Sequence, residues 1–165
     1  MTGLRERRHR ETRQQLVDVA FELFVDRGFG YVSMEEIAKA AGVSRSTVYR
    51  RFPTKDDVVL EVPKRWLAAF DDTFDVLPED ASLRDAIEHP TLAVAGHIDQ
   101  HKELVRTAYA ILEQSPTLQQ SGIATTAWLQ RIVRVFEQYA TVDAETSLMI
   151  AGAYLGAIDA MMLHW

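Results

Sequence analysis

The chain contains no cysteine, so disulfides, thiolate nucleophiles and cysteine-based metal centres are excluded, and the composition suits a reducing compartment. It also has no long hydrophobic run. The longest, Leu148 to Ile158, falls short of the roughly 18–20 apolar residues that span a bilayer, and Asp159 interrupts its continuation. The start, MTGLRERRHRETR, lacks the apolar stretch of a secretory signal. No glycine-rich phosphate loop, no Ser/His/Asp grouping and no paired carboxylates in apolar surroundings stand out, which leaves catalysis without candidate residues. Nor is there a repeat or low-complexity segment. A soluble, cytoplasmic protein without enzymatic activity or cofactor is expected, with no membrane partner.

What the chain does have is apolar residues in helical register and an uneven distribution of charge. Of its 165 residues 47% are apolar and 9% aromatic, enough for a packed core in one or two small domains. The net charge of −6 hides an asymmetry, because residues 1–55 carry +4 and residues 56–165 carry −10. A cationic head on an acidic body turns the head toward a polyanion and repels the body from it. Arg5, Arg7, Arg8, His9, Arg10 and Arg13 precede the first apolar stripe. They are expected to form a flexible arm able to touch phosphates or enter a minor groove; a solvated, frayed terminus is the plainer alternative.

Residues 33–55, SMEEIAKAAGVSRSTVYRRFPTK, hold three helix starts and one tight turn. Ser33 and Glu36 have the spacing of a capping box, so a helix starts at Met34, with Val32 and Ile37 placed as a hydrophobic staple. Ile37, Ala38 and Ala41 then form a buried stripe. Gly42 ends this helix because the chain reverses there through positive φ, which glycine adopts without a Cβ clash. Ser44 caps a second helix running from Arg45 to about Phe52, anchored by Val48 and Phe52 alone. At about 100° per residue, Ser46 and Arg50 lie opposite Val48, flanked by Thr47 and Tyr49. Such a polar, aromatic and cationic face fits a DNA major groove, whereas an ordinary αα-hairpin is the bland alternative. Pro53 stops the helix, and Thr54 with Asp57 caps a third. Lys55 stands in its first turn, where the helix dipole disfavours a cation unless an anion such as phosphate meets it.

The pattern made by Ile37, Ala38, Ala41, Gly42, Val43, Ser44, Thr47, Tyr49 and Phe52 resembles the helix-turn-helix of the tetracycline-repressor (TetR/AcrR) family of one-component transcription regulators. Residues 8–27 supply the long first helix of that family, with Leu16, Val17, Ala20, Phe21 and Phe24 in register and Gly28 as its stop. The resemblance implies an all-α chain: a three-helix DNA-binding head over residues 1–55, then a helical bundle over 56–165 for ligand binding and dimerisation. The family's final helix is expected to be missing after Trp165. Double-stranded DNA with a palindromic operator and a second copy of the chain are the implied partners. By position, Thr47, Tyr49 and Lys55 match residues that hold phosphates, and Arg45, Ser46 and Arg50 match positions that read bases. Ser33 is a further DNA-binding candidate.

Past Thr54 the pattern stays helical, with divisions expected near residues 75, 100, 115 and 142. Trp66, Phe70 and Phe74 form an aromatic row along the helix from Lys55, and Pro63 is expected to kink or break that helix near Val59 to Val62 and to hinge the head against the body. The resemblance implies a small hydrophobic or aromatic effector inside this bundle. Its candidate lining is Trp66, Phe70, Phe74, His97, His101, Tyr109 and Trp128, with plain core packing as the alternative for each. His97 and His101 stand four apart, a spacing that chelates zinc or nickel, but two histidines are too few for a metal site. The last segment, SLMIAGAYLGAIDAMMLHW, is apolar nearly all round and is expected to be buried on every side, with Gly152, Gly156 and Ala160 as a stripe of small residues. The resemblance places it in a dimer interface, with Ala153, Ala157, Met161 and Trp165 near the two-fold axis. The expected function is a transcriptional repressor released from its operator by the effector. A DNA-binding or helical interaction protein of the same fold that senses nothing is the alternative, and a metal sensor or enzyme built on His97 and His101 is the weakest reading.

Overall fold

A computed structural model describes the backbone of residues 2–121 and 123–162, and side chains from Arg7 onward except at 119–124, 158–159 and 161–165. The described residues are all-α, without a strand. Helix α1 spans Thr2–Arg27, so it starts well before residue 8. The basic start is therefore helical and not a flexible arm. Arginine and glutamate are good helix formers, and Arg7 pairs with Glu11 one turn on at 3.1 Å. Gly28, at φ +85°, ends the helix, and a 3-10 turn at Phe29–Tyr31 leads into α2 at Met34–Ala40 and α3 at Arg45–Arg51. Then come α4 (Lys55–Phe74), α5 (Leu83–Gln100), α6 (Lys102–Gln114), the short α7 (Pro116–Ser121), α8 (Ile123–Tyr139) and α9 (Ala144–Met162).

The chain divides into two compact units, residues 1–62 with 102–119 and residues 63–101 with 120–165. The division falls at Val62 and Pro63, within α4. Pro63 nonetheless does not break that helix, which runs uninterrupted from Lys55 to Phe74. A proline in a helix interior costs about 3 kcal/mol. Burial of Val58, Val59 and Val62 before it, and of Trp66 and Leu67 after it, offsets that cost.

In the first unit α1 contributes Leu16, Val17, Ala20, Phe21 and Phe24 to the core, against Ile37 and Ala38 of α2, Val48 of α3 and Val105 and Ala108 of α6. The Phe24 ring meets Phe21 and Phe29 edge-on, at 5.5 and 5.1 Å between centroids. In the second unit α8 packs against α5 and α9 and is tied to α4 by the pair Arg131–Asp71 and to the residue just after α4 by Arg134–Asp75. Helix α9 is not buried on every side, contrary to expectation. Ala151 and Leu155 are buried, but Met149 is 71% and Leu148 51% exposed, as are Gly152, Ala153, Gly156, Ala157 and Ala160. A helix that is apolar all round is covered where α8 lies along it and where Tyr154 meets Thr91 of α5, and its small residues stay exposed. The side chain of Met161 and the whole of Trp165 lie outside the described residues.

Candidate nucleic-acid interface

Helix α2 is fixed at both ends by local chemistry. Ser33 and Glu36 make the full capping box: the Ser33 hydroxyl accepts from the Glu36 amide at 3.2 Å, and the Glu36 carboxylate accepts from the Ser33 amide at 2.8 Å. Arg27 closes on the same carboxylate at 2.7 Å. At the far end the amides of Gly42 and Val43 donate to the carbonyls of Lys39 and Ala38, which is the Schellman arrangement with Gly42 at φ +66°. Gln15 of α1 donates to the Ala41 carbonyl at 3.1 Å and so pins the turn to the first helix. Ser44 then caps α3, accepting from the Thr47 amide at 3.2 Å.

Helix α3 buries Val48, with Phe52 buried just after its last turn, and turns its other residues outward. Arg45, Ser46 and Arg50 are exposed, Thr47 is half-buried, and Tyr49 sits at the border of exposure. Ser46 and Thr47 share the Ser44 hydroxyl at 2.9 and 2.8 Å. These five side chains form one surface, with Arg45 and Arg50 as cations able to meet phosphates or the guanine edge. Lys55 is placed differently from the rest. Its ammonium donates to the Phe29 carbonyl at 2.6 Å and lies 4.5 Å from the Phe29 ring centroid, so it is held inside the head by a neutral carbonyl and a ring. Ser33 is likewise engaged in its cap. Arg51, at the end of α3, touches His9 of α1; desolvation first, then Arg51, Arg50 and Arg13, push the His9 imidazole below its ordinary value.

Sequence reasoning missed Glu35. Its Oε1 accepts from the Tyr49 hydroxyl at 3.0 Å and faces Arg45 Nη2 at 2.8 Å. Bonds from its own amide and from Tyr49, and then the charge of Arg45, hold its carboxyl below the ordinary range. The helical period of α2 marks Glu35 only as outward-facing. Its partners lie on the next helix, beyond the reach of periodicity.

Of the candidate effector residues, Trp66, Phe70 and Phe74 are buried along α4 in the second unit. Phe70 stacks on Phe74 at 6.0 Å and meets Trp128 edge-on at 5.6 Å. His97 and His101 stack on each other at 4.5 Å, and His101 Nδ1 lies 2.9 Å from the His97 carbonyl. Burial, with His101 and Arg65 adding to it, pushes His97 below its ordinary value. Tyr109 is on α6 and belongs to the first unit. Among the described residues no group of three His, Cys, Asp or Glu side chains is placed to hold a metal ion, and no helix is long and apolar enough to cross a membrane.

Residues 16–62 match the family described as bacterial regulatory proteins, tetR family. Over 162 residues the chain is 28% identical to the protein assigned as the mycofactocin biosynthesis transcriptional regulator MftR of Mycobacterium tuberculosis, covering 96% of this chain and 82% of that one. It is 37% identical to the HTH-type transcriptional regulator TcmR of Streptomyces glaucescens over 57% of this chain, a stretch that spans only 38% of TcmR. Among solved structures it is similar to Thermus thermophilus FadR, a TetR family transcriptional repressor in complex with lauroyl-CoA. That match has 26% identity and a TM-score of 0.54, covering 76% of this chain and 66% of FadR.

Proposed function

We propose that this chain, which belongs to the tetR family of bacterial regulatory proteins and is a DNA-binding transcriptional regulator, is a cytoplasmic repressor that binds a palindromic operator as a homodimer. The observation that carries this reading is the outward surface of α3, where Arg45, Ser46 and Arg50 project from a helix whose start, turn and anchor are all fixed by the head. Two such helices related by a two-fold axis would read half-sites about one DNA turn, roughly 34 Å, apart. The exposed Gly152, Ala153, Gly156 and Ala157 face of α9 suits the contact between copies, since small residues admit close helix approach.

Release by a small hydrophobic or aromatic effector is supported by the aromatic row of the second unit and by the lauroyl-CoA bound in FadR. The contact of Phe70 with both Phe74 and Trp128 favours the second reading as well, a regulator of this fold whose aromatics simply pack. Both share the head. Selection of random duplexes by the purified chain at two salt concentrations, with oligomeric state followed by sedimentation, tests it. A palindrome recovered by a dimer is the expected result; weak, salt-erased binding without a motif would sink the reading.

A further inference from the structure

We propose that Glu35, on the first turn of α2, is a positioning residue that sets the specificity of the head by holding Arg45 of α3 for a base edge and withholding it from phosphates. The inference rests on the reading of α3 as the groove helix. A single oxygen, Glu35 Oε1, serves two side chains of that helix: Arg45 Nη2 stands 2.8 Å away and the Tyr49 hydroxyl donates to it at 3.0 Å. The Arg45 guanidinium in turn lies 5.5 Å from the centre of the Tyr49 ring, so the three groups close on one another.

The Arg45 side chain is 73% exposed, and an arginine so placed sweeps many rotamers unless something holds it. Glu35 reduces that freedom before DNA arrives, which favours the one geometry it permits. The carboxylate also has a cost. It is negative on a surface that meets phosphates, so it weakens contact with any duplex, specific or not. A charge that lowers nonspecific affinity while leaving a bidentate arginine–guanine contact open works by exclusion, and specificity is a difference of affinities. Glu35 is itself 44% exposed, outside the buried core.

The test uses the full chain as wild type, Glu35→Gln, Arg45→Ala and the double variant, with thermal midpoints recorded for each. Affinities are measured for the duplex the wild type selects, for its single-base variants and for a random duplex. Glu35→Gln is expected to bind the random duplex more tightly and to lose about three- to tenfold of the discrimination at the base read by Arg45. In the Arg45→Ala background the same change is expected to leave discrimination unaltered, a readout that mere destabilisation of α2 would not move. Full discrimination in Glu35→Gln at a wild-type midpoint overturns the inference, and so does a loss that persists without Arg45. If the wild type selects a sequence, those outcomes bear on Glu35 alone; if it selects none, the groove-helix reading falls with it.

Discussion

Arg13 and Glu61 form a two-pronged ion pair within the first unit, Nε to Oε1 and Nη2 to Oε2, both at 2.6 Å. The same guanidinium donates through Nη1 to the Arg51 carbonyl at 2.9 Å and lies 4.3 Å from the Phe52 ring centroid. One cation thus ties α1, the end of α3 and the start of α4 together. The bond to Glu61 raises Arg13 above its ordinary value. With only 33% and 14% of the two side chains exposed, the pair is shielded enough to matter. Arg13→Ala and Glu61→Ala are each expected to lower stability by about 1–3 kcal/mol in denaturant unfolding. The double variant should cost little more than the worse single one; additive losses would show that the two side chains are not coupled.

The glycines that end α1 and α2 should not tolerate replacement equally. A Cβ at Gly42 meets nothing within 4 Å, so Gly42→Ala carries only the backbone strain of φ +66°, about 1–2 kcal/mol. Gly42→Asn should cost less, because asparagine adopts this region more readily. Gly28 sits at φ +85° with ψ 140°, outside the left-handed helical region, and its Cβ would stand 3.5 Å from the Tyr31 ring. Gly28→Ala is therefore expected to cost more, about 1–3 kcal/mol. Thermal midpoints of the three variants rank the costs, and a Gly42→Ala protein as stable as wild type would remove the strain argument.

Stability should fall with acid in part through Glu36. Bonds from the Ser33 amide and hydroxyl, with Arg27 adding to them, hold its carboxyl at about 2, against an ordinary 4.5. The folded state therefore prefers the carboxylate. Its contribution is complete above pH 4.5 and is lost as pH falls from there toward about 2. Glu36→Gln keeps the shape and an acceptor oxygen but cannot titrate. Its unfolding free energy is expected to run flatter than that of the wild type across this window. Parallel curves would mean that Glu36 titrates alike in the folded and unfolded chains.

Local signals carried most of the head. The Ser33–Glu36 and Thr54–Asp57 boxes, the Ser44 cap and the Gly28 and Gly42 stops all lie within a few residues of their partners, and each is found where its pattern places it. What depends on distant partners was not legible. Arg13 reads as part of a solvated arm until Glu61 is brought beside it, and Glu35 reads as plain surface until α3 folds back. Pro63 carries a strong breaking signal that burial on both sides overrides. The α9 sequence states that its residues are apolar, and the packing of α8, with Thr91 of α5, decides which face is covered.

Lys55 and Arg45 should fail in different ways when removed. Lys55 is partly buried, bonded to the Phe29 carbonyl and seated over its ring, so it offers a charge from a fixed point and has no freedom to search a groove. Arg45 lies on the exposed surface of α3, where a planar guanidinium can match guanine O6 and N7. Lys55→Ala is expected to weaken binding to all duplexes alike and to reduce the slope of log affinity against log salt by about 1. It should also destabilise the head, because the Phe29 carbonyl loses its donor. Arg45→Ala is expected to leave random-duplex binding closer to wild type while losing about 1–3 kcal/mol of discrimination at one base pair. Titrations at two or more salt concentrations, on selected and random duplexes, separate the two. A Lys55→Ala protein with altered sequence preference and an unchanged salt slope would reverse the assignment, making the ammonium a base reader and its contact with Phe29 a resting position.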